Sequence, residues 1–188
     1  VRGEARRRGA WGPEDGGVAG RCILGFNAGP PMNPSAYNNN MQLVQTKDHI
    51  VILSEMIHYA RIIRLDSEHS TRQLKWAGDS VAHWEGDTLG GGGGNLNGRT
   101  SYQGSSADMK LTQRFTRTGP NSLEYQFTID DPAVWTEPWT GMFTFVRDDS
   151  QYELVEYACH EGNYGMTNSL SGARAIDRRE AEAAENNQ

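Results

Sequence analysis

The chain has 188 residues, the size of one domain with a substantial core. Its formal net charge of −6 argues against a surface that follows nucleic-acid phosphates, and no apolar run reaches the roughly 20 residues of a membrane-spanning helix. The 22 glycines and 5 tryptophans are typical of a β-rich fold with many turns.

The first 40 residues predict an irregular N-terminal extension. Residues 11–40 hold most of the prolines, many glycines and the run Asn38-Asn39-Asn40, a composition that favours loops over regular structure. The chain starts at Val1 without an apolar signal-peptide segment. We therefore expect any targeting segment to have been removed.

From Met41 the composition changes to short β-prone runs that follow one another at regular spacing. The clearest is 122–130, where four apolar residues alternate with polar ones and predict one buried and one wet face. With its predecessor it forms a predicted hairpin whose core set is Leu123, Tyr125, Phe127 and Ile129 with Met109, Leu111 and Phe115. The predicted strands are 41–46, 50–57, 61–65, 79–84, 109–117, 122–130, 141–147 and 151–158.

A second hairpin is predicted around Glu85-Gly86-Asp87, but its return strand runs into five glycines, Gly90 to Gly94. Glycine loses the most backbone entropy on ordering and gives no side chain to a core, so this run predicts a poor strand. A phosphate-binding loop is rejected, because no lysine and helix start follow the glycines. We hypothesise that the natural chain carries other side chains at these five positions.

Counting that return gives nine strands, which predict an all-β fold. We expect an antiparallel up-and-down meander that forms a lipocalin-like or partly open β-barrel, with a β-sandwich as the alternative. The predicted organisation is an irregular extension at 1–40, a barrel domain at 41–172 and a polar tail at 173–188. The tail is expected to be either a solvated helix or fraying coil.

Cys22 and Cys159 are the only cysteines, and their spacing matches no zinc or redox motif. Two alternatives follow: two separate buried thiols or one long-range disulfide. We favour the disulfide, because each cysteine lies beside a loop-rich segment that needs anchoring. A disulfide predicts an oxidising location, either periplasmic or extracellular.

Several short motifs together resemble an uncharacterised family of exported bacterial proteins, common in acidobacteria and their relatives. The motifs are Ser35-Ala36-Tyr37-Asn38-Asn39-Asn40, Gly78-Asp79-Ser80, Trp84-Glu85-Gly86-Asp87-Thr88-Leu89, Asp130-Asp131-Pro132 with Trp135 and Pro138-Trp139-Thr140, and Tyr157-Ala158-Cys159-His160-Glu161-Gly162-Asn163-Tyr164. The resemblance covers about residues 20–175 and implies export and a β-rich fold. The family hairpin usually continues into a β-branched run where this chain has its glycines.

Four titratable residues are candidates for acid-base catalysis at one end of the barrel: Glu55, His58, His160 and Glu161. The alternative is structural, with Glu55 paired to Arg61 or Arg64 and His160 bonded to a loop carbonyl. No metal signature such as H-E-x-x-H is present, so neither a metal nor a cofactor is expected.

Trp135 and Trp139 are candidates for a ligand-stacking platform, with Arg61 as a charged ligand contact. The alternative is that the two tryptophans close the end of the barrel. A serine hydrolase is rejected, since no G-x-S-x-G elbow is present.

Three classes of function remain. The favoured one is an exported protein that binds a small molecule or saccharide in the barrel mouth. The second is a structural or accessory subunit, as a homo-oligomer or in a larger assembly, because the extension at 11–40 is too long for an ordinary connection. The third is a hydrolase or lyase that uses His and Glu groups. Neither a nucleic-acid partner nor a membrane span is expected.

Overall fold

The computed structural model describes residues 12–70, 73–98, 100, 102–150 and 153–186. The chain divides into two compact units. One runs from Leu24 to Tyr157 and contains every strand of the described residues. The other combines the chain up to Ile23 with the chain from Ala158 onward.

The larger unit is an eight-stranded, mostly antiparallel meander curled into a half-barrel. Neighbours in sequence are neighbours in the sheet, so the predicted up-and-down order is confirmed. The strands are β1 (Met41–Gln45), β2 (His49–Ser54), β3 (Ala60–Leu65), β4 (Asp79–Glu85), β5 (Thr88–Gly94), β6 (Lys110–Gly119), β7 (Ser122–Asp130) and β8 (Trp139–Val146).

Two features of the predicted meander are wrong. Residues 153–158 form no strand, so the sheet has eight strands instead of nine. In addition, β3 and β4 run parallel, with Ile63 opposite Ser80. A parallel pair needs a connection long enough to carry the chain back to the starting end, and the segment 66–78 provides it.

The glycine run forms the return strand that the strand count included, although its composition predicts a poor one. Gly91 lies opposite Ala82 of β4 and Gln113 of β6, so β5 is paired along both edges. Backbone pairing on two sides supplies the order that the missing side chains cannot. A Cβ atom at Gly91 would lie 2.7 Å from the Cβ of Ala82, so this position has no room for a larger residue.

The core lies on the inner face of the sheet, as the alternation in β6 and β7 predicts. Tyr125, Phe127 and Ile129 are buried, and Leu123 packs against them at the margin. The ring of Phe127 covers Gly141, its partner on β8: a Cβ atom there would lie 2.5 Å from Cζ of Phe127. Met109, Leu111 and Phe115 are buried in the same cluster, which confirms the predicted core set.

The smaller unit contains the helix α1 (Tyr164–Asn186), so the chain is not purely all-β. The helix starts before the predicted tail and is mostly exposed, with Ala173 as the buried residue within it. Cys22 and Cys159 are bonded, which confirms the predicted disulfide and is consistent with an oxidising compartment. Asn163 adds a hydrogen bond from Nδ2 to the carbonyl of Gly20 (3.0 Å). No described helix is long and apolar enough to cross a membrane.

Candidate functional site

A cleft of about 210 Å³ lies between the end of β2, the outer half of β8 and the N-terminal segment that precedes β1. Two aromatic rings, those of Phe143 and Phe145, contribute to its wall. None of the described lining residues carries an ionisable side chain. Five asparagines supply side-chain amides to the lining: Asn27, Asn33, Asn38, Asn39 and Asn40.

Hydrogen bonds within the N-terminal segment hold these amides in place. Asn27 is buried, and its Nδ2 donates to the carbonyl of Asn38 (2.7 Å) and to Oδ1 of Asn39 (3.2 Å). Asn39 in turn exchanges two hydrogen bonds with the backbone of Ser35. Asn38 has a φ of 52°, a left-handed conformation that asparagine tolerates better than most residues. The asparagine run therefore forms an ordered wall.

Glu55 supports this wall and does not pair with an arginine. The carboxylate is buried just after β2, where Oε2 accepts hydrogen bonds from Nδ2 (3.0 Å) and the backbone N–H (3.3 Å) of Asn40. The N–H of Glu55 donates to the carbonyl of the same asparagine (2.9 Å). Within the described ranges, neither Arg61 nor Arg64 forms an ion pair with it. The alternative of a Glu–Arg pair is therefore wrong.

His58 makes a hydrogen bond to the C-terminal end of the same unit. Its Nε2 accepts a hydrogen bond from the backbone N–H of Tyr157 (3.1 Å). The turn that presents it is unusual, because Ile57 and His58 both have positive φ (62° and 49°). A β-branched residue in this region is rare and marks local backbone strain.

His160 and Glu161 lie in the smaller unit, on the exposed turn that follows the disulfide. The N–H of Glu161 donates to the carbonyl of Ala158 (3.1 Å), and the carbonyl of His160 accepts from the N–H of Asn163 (3.4 Å). Glu55 and His58 belong to the half-barrel unit, so the four candidate acid-base residues are divided between the two units. Their convergence stays a prediction. No group of three or more His, Cys, Asp or Glu residues in the described part of the chain could hold a metal ion.

Trp135 and Trp139 pack against the core at the start of β8. The ring of Trp139 lies 5.6 Å from that of Phe127 and 5.8 Å from that of Trp135, both edge-on. Its Nε1 is buried without a hydrogen-bond partner among the residues described. Most of the surface of Trp139 is therefore used by packing, and the stacking role remains a prediction.

Arg61 is a buried residue of β3 that reaches across the inner face of the sheet. Its Nε donates to Oγ of Ser80 and its Nη1 to Oε1 of Gln113, both at 2.9 Å. The hydroxyl of Tyr125 also donates to Oε1 of Gln113 (2.8 Å) and accepts from the N–H of Met32 (3.2 Å). Burial raises the pKa of Tyr125 to about 12, so this hydroxyl stays protonated and can donate.

The side chain of Arg61 can reach β6 because the two strands between them present only small residues. Ser80 and Ala82 are buried on β4, and Gly91 and Gly93 share the face of Leu89, a core residue of β5. This cluster was not among the features predicted from the sequence. The signal was the glycine run itself, which leaves space on a core-facing strand.

Asp79 organises the crossover between β3 and β4. It is buried and accepts hydrogen bonds from Nη2 of Arg64 (2.7 Å), Nζ of Lys75 (3.1 Å) and the N–H of Ser70 (2.8 Å). Burial works to raise the pKa of this carboxyl, but the hydrogen bonds and the two cations outweigh burial and lower it. The cluster therefore has a structural role in closing the 66–78 connection.

Of these features, the cleft is the one with room for an organic ligand. Its amides offer both donors and acceptors, and its rings offer apolar faces. Comparisons with protein-family models, with curated proteins and with solved structures found no match to this chain.

Proposed function

We propose that the protein binds one small, neutral, polyhydroxylated molecule, such as a monosaccharide, in the cleft beside β8. The observation that supports this most is the lining, which combines five asparagines with Phe143 and Phe145 and carries no ionisable side chain. An uncharged lining favours a neutral ligand, because a charged one would lose its hydration without gaining a counter-charge.

Asparagine and phenylalanine match the two surfaces of a sugar ring. Each amide carries two donors and two acceptor lone pairs, which suit hydroxyl groups that both donate and accept. Aromatic side chains provide large apolar faces on which the C–H side of a sugar can lie. The volume of about 210 Å³ is below the range of drug-sized sites, roughly 300–1,000 Å³, so we expect a single ring.

Export is part of the proposal. The disulfide between Cys22 and Cys159 and the resemblance to exported bacterial proteins both support a periplasmic or extracellular location.

A structural or accessory role in a larger assembly is the second candidate. Such a role predicts a barrel filled by side chains, whereas a ligand-binding barrel is hollow. Large core side chains fill the inner face of the sheet, and the cleft is confined to its margin. The hydrolase or lyase alternative has less support. Oε2 of Glu55 accepts from Asn40 and Nε2 of His58 accepts from the N–H of Tyr157, so both side chains have structural hydrogen bonds.

Calorimetric titration of the intact protein with a panel of monosaccharides and polyols tests the proposal. We expect saturable binding by at least one compound, weakened about tenfold or more in Phe143→Leu, which removes a ring but keeps apolar volume. The control is Met142→Leu, because Met142 is 56% exposed on the other face of the same strand. Binding of no compound at millimolar concentration, or equal weakening by both variants, would contradict the proposal.

A further inference from the structure

The first strand of the half-barrel, β1, is an open edge of the sheet. It pairs with β2 along one side, and no strand of the described residues lies along its other side. Four of its five residues are exposed. Leu43 and Val44 point to opposite faces of the sheet, and each is 43% exposed. β1 therefore presents both its side chains and one row of backbone groups to solvent.

The backbone groups on this open side can be identified from the pairing with β2. Alternate residues of an antiparallel strand direct their N–H and C=O groups to the same side. At the two ends of the β1–β2 pair, the residues bonded to the partner chain are Asn40 and Thr46. Both are even-numbered, and the register between them is continuous. The outward groups are therefore those of Met41, Leu43 and Gln45. None of the hydrogen bonds between described residues uses them.

This edge lacks the features that keep sheet edges from pairing with other chains. Protected edges carry charged side chains, proline or a bulge. β1 has none of the three, since its sequence is MQLVQ and its register with β2 is unbroken. In contrast, β3, β4, β6 and β7 each carry at least two charged residues. In a chain with a net charge of −6, β1 is thus a neutral strip at which two copies can meet without opposing like charges.

We propose that the protein forms a two-fold symmetric dimer in which β1 pairs antiparallel with β1 of a second copy. Such pairing is isologous, so the same outward groups serve in both copies and the open edge is used up on both sides. When Leu43 lies opposite Leu43 of the second copy, Met41 lies opposite Gln45. Each facing pair then exchanges two backbone hydrogen bonds. The two Leu43 side chains also come into contact on the inner face.

The position of the cleft favours β1 over β8, the other edge of the sheet. β8 borders the cleft with three consecutive residues, Phe143 to Phe145, so a strand added there would obstruct the ligand. β1 reaches the cleft only through Met41. Pairing at β1 leaves the cleft open and places Gln45 of the second copy beside Met41. The dimer itself does not depend on saccharide binding.

Sedimentation velocity across the micromolar range tests the association. We expect the mass to rise with concentration toward twice that of one chain. Leu43→Lys and Leu43→Glu should each remain monomeric, because like charges would lie directly opposite each other at the two-fold axis. An equimolar mixture of the two variants should recover the dimer, because opposite charges then face each other. A natural chain that stays monomeric, or a mixture that does not associate, would overturn the proposal.

The matched control places the same charge on the other edge. Val146 on β8 is 74% exposed, and Val146→Lys should keep the dimer. Circular dichroism and urea melts of each variant confirm that the monomer is folded. Loss of the dimer in Val146→Lys but not in Leu43→Lys would show that β8 is the interface and would refute the assignment.

Amide hydrogen exchange gives a readout in the unsubstituted protein. The amide protons of Leu43 and Gln45 should exchange slowly only at concentrations at which the dimer forms. Gln42 and Val44 are the internal controls, because their amides face β2 and are protected in the monomer as well. A dimer in which the outward amides exchange as fast as in the monomer would overturn the pairing at β1.

Discussion

Arg61 and Gln113 are 52 residues apart in sequence and are joined by a 2.9 Å hydrogen bond across the inner face of the sheet. Arg61 belongs to β3 and Gln113 to β6, with β4 and β5 between them. The same Gln113 oxygen accepts from Tyr125 on β7. One amide therefore connects three strands within the core.

Replacing this amide should destabilise the fold strongly. Gln113→Leu leaves both the Arg61 guanidinium and the Tyr125 hydroxyl without their acceptor in a buried site, which we expect to cost about 3–5 kcal/mol in the free energy of unfolding. Urea titration measures the change. Gln42→Leu on exposed β1 is the control and should change stability by less than about 1 kcal/mol. Equal effects would mean that the hydrogen bonds of Gln113 do not stabilise the core.

The alternation along β7 predicts a second contrast. Phe127 is 2% exposed, and Phe127→Ala should cost about 3–5 kcal/mol because it leaves a cavity above Gly141. Gln126→Ala, on the other face of the same strand, should cost little. Denaturant melts of the two variants check this, and losses of similar size would contradict the assigned faces of β7.

Two glycines of β5 should respond differently to alanine. At Gly91 a Cβ atom would overlap Ala82 and the carbonyl of Val81, so Gly91→Ala should destabilise by about 1–3 kcal/mol. At Gly93 the nearest atoms, on Leu111 and Gln113, are 3.8–3.9 Å away, an ordinary contact distance. Gly93→Ala should be neutral or stabilising by up to about 1 kcal/mol, because alanine restricts the unfolded chain. Thermal melts of the two variants measure this difference. A Gly93→Ala variant less stable than Gly91→Ala would contradict the packing of β5.

Asp79 should make stability depend on pH in the acid range. Its pKa is lower in the folded protein than in the unfolded chain, where it is about 3.9. The carboxylate therefore stabilises the fold above that unfolded value, and the contribution is lost as the pH falls through the lowered folded value. Asp79→Asn should cost about 1–3 kcal/mol at neutral pH, since its cationic partners are partly exposed.

The measurement for Asp79 is a series of urea melts between neutral pH and about pH 2. The difference in the free energy of unfolding between the unsubstituted protein and Asp79→Asn should narrow as the pH drops below about 4. Asp87→Asn, at the exposed β4–β5 turn, serves as the control. Its free energy of unfolding should stay close to that of the unsubstituted protein over the whole range. A gap that is constant over the whole range would contradict the ionic role of Asp79.

The disulfide should be present in the purified protein and should stabilise the smaller unit. Alkylation followed by intact-mass analysis should find no free thiol before reduction. Joining Cys22 to Cys159 closes a loop with a sequence separation of 137, and its removal in Cys22→Ser/Cys159→Ser should cost about 2–5 kcal/mol. Two alkylated cysteines in unreduced protein would contradict the bond.

Local pattern was enough for much of the fold. The alternation of 122–130 identified β7 and its buried face, because side chains two residues apart in a strand point the same way. Loop-rich surroundings at Cys22 and Cys159 were enough to favour the disulfide. Pattern failed in the described part of the predicted strand, 153–158, where β-prone residues find no neighbouring strand, since β-propensity describes a fit to a sheet more than a property of the backbone.

Long-range contacts decided the rest. The glycine run lacks every local mark of a strand, and only its pairing with β4 and β6 makes it one. The structural alternative for Glu55 was a pair with an arginine on the next strand. Its carboxylate instead bonds to Asn40, because β2 ends before Glu55. The alternation of residues along β3 places Arg61 inside, but no local pattern names Gln113 as its partner. Sequence by itself determined most of the strands and their buried faces. Tertiary structure decided the order of the glycine run and which polar groups meet, since hydrogen bonds between distant residues depend on how the sheet curls.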